Sequence, residues 1–130
     1  MAVVRESERV SKEPVDRSDG AYIQWLISRK DGARNFELRK FKLSPRGRIP
    51  PHLHDDIEHE QYVLKGRYTI IIDDKKYKVK EGDVVYIPPG AVHEYLNDSD
   101  EEAEFLCIIP AREKYKTTWI DRKQHDSLGL

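Results

Sequence analysis

Three of the five histidines in this 130-residue chain lie within eight residues, at positions 52, 54 and 59. Residues two apart in a β-strand point to the same face, so His52 and His54 would present their imidazoles side by side. His59 lies an odd number of residues further on, but the intervening segment DDIE can form a turn or bulge that resets the register. His93 follows a Pro-Pro-Gly turn, so two antiparallel hairpins can bring the four imidazoles to one interior point.

Short runs rich in Tyr, Val, Ile and Phe follow one another after Gly20 and would position these histidines. Turn-forming segments such as SPRG, DDKK, EGD and PPG separate the runs, and no amphipathic helix of twelve or more residues is present. The pattern predicts an all-β sandwich or barrel. A chain of this length is expected to form a single core.

The chain ends differ from this central region in composition. Residues 1–20 are charged and predict an N-terminal arm, 21–112 predict the barrel, and 113–130 predict a C-terminal extension. The extension alternates weakly around Tyr115, Thr117 and Trp119, which indicates an added edge strand. His125, in the polar end of this extension, is expected to be exposed.

The charge balance and the single cysteine exclude several classes of function. Lys plus Arg is 23 and Asp plus Glu is 24, so no overall basic field attracts nucleic acid or an anionic membrane. The N-terminus lacks a signal peptide's apolar core and no segment approaches the roughly 20 apolar residues of a membrane span, so a cytoplasmic location is expected. Cys107 is the only cysteine, so a bound metal must use histidine or carboxylate ligands.

Two segments, GRIPPHLHDDIEHEQYVLKG (47–66) and GDVVYIPPGAVHEYLN (82–97), resemble the two conserved motifs of the cupin superfamily. The second carries a residue of the expected type at every defining position: Gly82, Pro88, Gly90, His93 and Asn97. The first departs twice, because only four residues separate Gly47 from His52 where five are usual, and because His59 stands where Glu or Gln is usual. The resemblance covers roughly residues 21–110 and is closest to small single-domain cupins with four histidines.

The resemblance implies a double-stranded β-helix, or jelly-roll barrel, that holds one divalent transition metal ion per chain. The implied ligands are His52, His54, His59 and His93. Manganese or iron is favoured, because the metal of four-histidine cupins is often manganese, and zinc, nickel and copper also suit imidazole.

The third ligand has competing candidates, because Glu58 and Glu60 flank His59. Counting back from Gly66, His59 leaves the six intervening residues of the cupin pattern and Glu60 leaves five. An inward His59 would also turn Gln61 and Val63 inward, whereas an inward Glu60 would reverse that alternation. Both arrangements are sterically conceivable, and the spacing favours His59.

Strand parity nominates five residues for a substrate pocket: Arg39, Gln61, Tyr95, Phe105 and Cys107. An inward Arg39 would hold a carboxylate or phosphate group of a substrate. The alternatives are an ordinary surface charge for Arg39, a packed thiol for Cys107 and plain core for the others.

The open coordination of such a centre indicates its chemistry. Four neutral imidazoles around a six-coordinate ion leave two adjacent positions for dioxygen, water or a bidentate oxygen donor. This favours a metal-dependent dioxygenase or oxidase acting on a small organic substrate. The alternatives are a non-redox isomerase or lyase acting on a sugar or keto acid, which a nearby Lys or Glu base would support, and a non-catalytic module that binds a small molecule.

A homodimer is expected from the strands around Tyr62 and Leu64. The runs YVL and YTIII place apolar residues on both strand faces, more than one small barrel interior can absorb. The outward residues would then pack against a partner sheet.

Overall fold

The computed structural model of the chain describes residues 1–120, so His125 lies outside the described part. Two short 3₁₀ turns, Ser7–Arg9 and Arg29–Asp31, accompany ten β-strands. The strands are β1 (Glu13–Pro14), β2 (Asp19–Ile27), β3 (Phe36–Leu53), β4 (His59–Lys65), β5 (Arg67–Ile72), β6 (Lys75–Lys80), β7 (Val84–Ile87), β8 (His93–Leu96), β9 (Ala103–Pro110) and β10 (Thr118–Trp119).

The strands form one curled antiparallel sheet whose order is β6-β5-β8-β3-β9-β4-β7. In addition, β2 pairs with β3, β1 pairs with β2, and β10 pairs with β3. Neighbours in space are therefore mostly distant in sequence, as in a jelly roll. The all-β jelly-roll prediction is confirmed.

The long strand β3 joins the two halves of the barrel. Its first part pairs with β2 and β9, and its second part pairs with β8. The strand bends at Gly47, where a Cβ atom would lie 2.5 Å from the Gly20 carbonyl oxygen and 2.8 Å from that of Ser44. Only glycine permits this close approach of two backbones, and the bend brings the histidine-bearing end of β3 against β8.

Asn97, at the end of β8, fixes the same bend from the other side. Its Nδ2 donates to the carbonyl oxygens of Leu43, Ser44 and Glu101 at 3.3, 3.0 and 2.7 Å. Its Oδ1 accepts from the backbone N–H and the hydroxyl of Ser99. A buried side chain that satisfies several loop carbonyls explains why an asparagine follows the histidine strand.

An aromatic cluster fills the core beneath the histidines. The Phe105 ring stacks on Phe41, with centroids 5.0 Å apart, and on Tyr95, also at 5.0 Å. Tyr68 packs against Phe105 at 5.2 Å, and its side chain is almost fully buried. Phe41 and Tyr95 also line the cavity that contains the histidines. The hydrophobic core thus supports the candidate site directly.

The N-terminal arm and the last described residues both contact the sheet. In the arm, the carbonyl oxygens of Ser7 and Val10 each accept a hydrogen bond from Gln24 Nε2 at 2.8 Å. The edge strand predicted near Trp119 is confirmed as β10, which pairs with the end of β3. The division at residues 20 and 112 stays a prediction.

No helix within residues 1–120 is long and apolar enough to cross a bilayer. The cytoplasmic location stays a prediction.

The outer face of β4, β7 and β9 carries an apolar patch. Tyr62, Val84, Tyr86 and Ile108 are exposed there. The predicted homodimer would cover such a patch. Light scattering at micromolar concentration should give twice the 15.3 kDa of one chain. A monomer mass would contradict the prediction.

Candidate metal centre

Three histidines converge at one end of the barrel. His52 on β3 and His93 on β8 are directly opposed in the ladder between these strands. His54 follows two residues after His52, just past the end of β3. One nitrogen from each of the three rings lies within 4.8 Å of the other two. Sheet pairing and two-residue spacing therefore bring together three of the predicted ligands.

Backbone carbonyls orient these three rings. The Nδ1 atoms lie within hydrogen-bonding distance of the carbonyl oxygens of Pro50 (His52, 2.7 Å), Lys116 (His54, 3.1 Å) and Ala91 (His93, 3.0 Å). A carbonyl oxygen can only accept, so each Nδ1 carries the proton and donates it. The Nε2 lone pair of each ring is then free, which is the tautomer that a metal ligand requires.

His59, the fourth predicted ligand, lies beside this cluster at the start of β4. Its ring centroid is 5.2 Å from that of His54 and 5.0 Å from that of His93. It is 4% exposed, and its Nδ1 is buried with no hydrogen-bond partner. Along β4, Gln61 is buried like His59, whereas Glu60 is exposed. This alternation is the one expected for an inward His59, and its ligation of a metal stays a prediction.

The site's electrostatics favour neutral imidazoles. Burial lowers the pKa of His52 to about 4 and that of His59 to about 2. Burial likewise lowers the pKa of His54, and it holds the pKa of His93 well below 6.5. The nearby charge of Arg39 adds to the lowering at all four rings. Four neutral nitrogen donors fit a divalent transition metal ion.

The lowered pKa values predict the pH dependence of metal retention. Protons compete for a histidine only below its pKa, and every folded-state pKa here lies below 6.5. Affinity should therefore be nearly flat above about pH 6.5 and should fall as the pH drops toward about 4, where His52 protonates. Elemental analysis after dialysis across this range would show it. Loss of half the metal at neutral pH would contradict the expectation.

The histidines face a cavity of about 220 Å³. Among the predicted pocket residues, Arg39, Tyr95 and Cys107 line it, whereas Gln61 and Phe105 are buried outside its lining. The remaining lining residues are Pro14, Val15, Asp16, Ile23, Trp25, Phe41, Ile49, Thr117 and Trp119. A larger cavity of about 490 Å³ shares Trp25 but contains none of the histidines, so the smaller one is the candidate site.

Sequence reasoning did not identify Trp25 and Trp119 as pocket residues. Trp119 belongs to the alternating segment that predicts β10. The sequence therefore indicates its strand, but it does not show that the side chain lines the cavity. Trp25 lies on β2, opposite Arg39 in the ladder with β3. That pairing depends on long-range register, which local patterns do not show.

A polar network connects the predicted pocket residues beside the histidines. Arg39 Nη2 donates to Cys107 Sγ at 3.0 Å. Gln61 Nε2 donates to Tyr95 Oη at 2.6 Å and lies 3.4 Å from the same sulfur. Burial raises the pKa of Tyr95, so its hydroxyl stays protonated at neutral pH. The network fixes the guanidinium and the phenol at the cavity wall.

The family assignment agrees with this geometry. Residues 39–109, more than half of the chain, match the family described as Cupin domain. The chain belongs to the cupin family.

Proteins with named functions that resemble this chain differ from one another in activity. The polyketide cyclase RemF from Streptomyces resistomycificus is 27% identical with a TM-score of 0.83, over 100% of this chain and 94% of that one. A glucose-6-phosphate isomerase of Pyrococcus furiosus is 31% identical in an alignment of 118 positions that covers 80% of this chain and 62% of the isomerase. An uncharacterized protein of Aquifex aeolicus is 44% identical over 61 residues, 47% of this chain and 50% of that protein. The chain spans about half the length of the first curated relatives that it matches.

The choice between His59 and Glu60 predicts a difference between two variants. His59→Ala should weaken manganese binding at least about tenfold, or about 1.4 kcal/mol, because it removes a buried nitrogen beside the triad. Glu60→Gln should leave the affinity nearly unchanged, because the Glu60 side chain is exposed on the opposite strand face. Isothermal titration of both variants measures the difference. The reverse order of losses would mean three histidines and a carboxylate.

Proposed function

We propose that the chain is a metal-dependent dioxygenase or oxidase that acts on a small organic compound. Its centre comprises one divalent transition metal ion, with manganese or iron favoured, held by His52, His54, His59 and His93. The observation that supports this most directly is the set of three Nδ1–carbonyl hydrogen bonds, which leave three Nε2 lone pairs free within one cluster.

The chain's own residues would prepare the site for a bound ion. When bound, such an ion supplies Lewis acidity and, for iron or manganese, redox chemistry. The aromatic cluster under the cavity excludes water from one side, and the backbone carbonyls fix the imidazole rings. The protonated Tyr95 hydroxyl offers a hydrogen-bond donor at the wall.

The carboxylate content of the cavity favours redox chemistry over proton-transfer isomerisation. An isomerase needs a positioned general base, most often histidine or a carboxylate. Of the described residues that line the cavity, only Asp16 carries a carboxylate, and its side chain is exposed. The histidines are assigned to the metal in this proposal. Among the described residues that line the cavity, no inward carboxylate is then left to serve as the base.

A non-redox cyclase or isomerase is the second candidate. It is supported by the similarity to RemF along the whole chain and by the similarity to the Pyrococcus isomerase. It would use the same four histidines and the same cavity. Its general base would have to come from Asp16 or from the substrate itself.

Oxygen consumption distinguishes the two candidates. The purified protein, loaded in parallel with iron, manganese or zinc, would be incubated with small enolic, phenolic and alkene-containing compounds. We expect oxygen uptake with iron or manganese and none with zinc. Turnover of a carbonyl compound by the zinc form without oxygen uptake would contradict the redox proposal and support the second candidate.

A further inference from the structure

Arg39 is a buried cation without an anionic partner among residues 1–120. The residue is 8% exposed, and within residues 1–120 it donates a hydrogen bond to the Cys107 sulfur and lies over two aromatic rings. Its Nε is buried with no hydrogen-bond partner. Buried guanidinium groups are normally paired with a carboxylate or phosphate, because burial of an uncompensated charge is costly.

The described residues around Arg39 do not neutralise its positive charge. The four histidines that share its cavity can be only neutral or positively charged, so they do not compensate its charge. A metal ion held by them would add two further positive charges to the same space. Asp16, the one carboxylate in the described lining, is exposed and forms no ion pair with Arg39. An anionic ligand in the cavity would therefore compensate the charge of Arg39.

The geometry points to a small carboxylate as this ligand, with its carboxylate group on Arg39 and a second oxygen donor facing the histidines. The placement of the second oxygen rests on the proposed function, whereas the placement of the carboxylate rests on Arg39 alone. The carboxylate is thus a specificity-determining group of the substrate.

The number and shape of the donors favour a carboxylate over a phosphate ester. Arg39 is the only Lys or Arg among the described residues that line the cavity, so one bidentate donor faces the anionic group, which suits two carboxylate oxygens better than three phosphate oxygens. The planar guanidinium fork fits a carboxylate in a bidentate manner. Trp25 and Phe41 hold the guanidinium carbon at 5.4 and 5.0 Å from their ring centroids and so restrict its orientation.

The cavity size limits the ligand further. Its volume of about 220 Å³ corresponds to roughly seven water molecules in the liquid. A 2-oxo or 2-hydroxy acid of a few carbon atoms fits this space. Such an acid carries its second oxygen next to the carboxylate, where an ion could bind it.

Pyruvate and pyruvamide form a matched pair of probes, because they differ only in the exchange of the carboxylate for a neutral amide. Trp25 and Trp119 line the cavity, so tryptophan fluorescence reports binding in both metal-free and manganese-loaded protein. The variants are Arg39→Gln, which removes the charge, and Arg39→Lys, which keeps it. Arg48→Gln is the matched control, because Arg48 is exposed on the same strand.

We expect pyruvate to bind at least about tenfold more tightly than pyruvamide to both forms of the protein. Arg39→Gln should abolish this preference, Arg39→Lys should retain part of it, and Arg48→Gln should keep it. Circular dichroism checks that each variant is folded. If Arg39→Gln does not fold, the same comparison with Arg39→Lys, which loses the planar fork, should show a reduced preference.

Equal binding of pyruvate and pyruvamide to the wild-type protein would overturn the inference, as would undiminished preference in Arg39→Gln. Tighter, Arg39-dependent binding of inorganic phosphate would also overturn it in favour of a phosphate ligand. If the protein binds none of the metals offered and still shows the Arg39-dependent preference, the proposed function is refuted and this inference stands.

Discussion

His93→Ala should lower manganese affinity by about a hundredfold or more, because it removes a direct ligand, whereas loss of an outer hydrogen-bond partner alone costs 10–100-fold. His93 is 2% exposed and faces His52 across the strand pair. Its Nδ1 lies 3.0 Å from the Ala91 carbonyl oxygen, which leaves Nε2 available to the ion. The loss corresponds to about 2.7 kcal/mol of binding free energy. Isothermal titration with manganese measures it.

His125→Ala supplies the matched control for that measurement. The sequence predicts His125 as an exposed residue of the C-terminal extension, and it lies outside the described residues. Its replacement should leave manganese affinity unchanged. Circular dichroism should show the same β-sheet spectrum for both variants, since the hydrophobic core does not require the ion. Equal affinities of the wild-type protein and folded His93→Ala would contradict the assigned site.

Phe105→Ala should destabilise the fold by about 3–5 kcal/mol, the usual cost of deleting a buried phenylalanine ring. Phe105 is fully buried and contacts the rings of Phe41, Tyr68 and Tyr95. Its removal leaves a cavity under Tyr95, which lines the candidate site. Urea denaturation should therefore show a large fall in the midpoint, and weaker ligand binding should accompany it.

Phe36→Ala is the control for this prediction. Phe36 begins β3 and is 66% exposed, so its ring contributes little buried area. The free energy of unfolding should change by about 0.5 kcal/mol or less. Equal destabilisation by the two variants would mean that the aromatic cluster does not form the core.

The sequence predicted the strand content well because apolar alternation and turn residues are local signals. The prediction was wrong in β3. The sequence indicates a turn at SPRG, whereas in the structure the strand continues from Phe36 to Leu53. The bend is accommodated by Gly47 and by Arg46, whose φ is 64°. The proline in SPRG does not end the strand, because proline lacks only one backbone hydrogen-bond donor and is tolerated where that donor would not pair with a neighbouring strand.

In the candidate site, too, the features set by local spacing could be predicted, whereas those set by long-range contacts could not. The spacing of His52 and His54 is local, and the structure places both in the cluster with His93. The missing partner of Arg39 could not be predicted, because it depends on which side chains meet across β2, β3 and β9. The lowered histidine pKa values also follow from burial, which no motif specifies.

Anomalous X-ray diffraction from crystals soaked in zinc would show directly whether the four histidines hold a metal ion. We expect one strong peak per chain, surrounded by the Nε2 atoms of His52, His54 and His93 at about 2.0–2.1 Å. A fourth contact from His59 should complete the histidine set. A peak ligated by Glu60 in place of His59, a peak remote from these histidines, or the absence of any peak would contradict it.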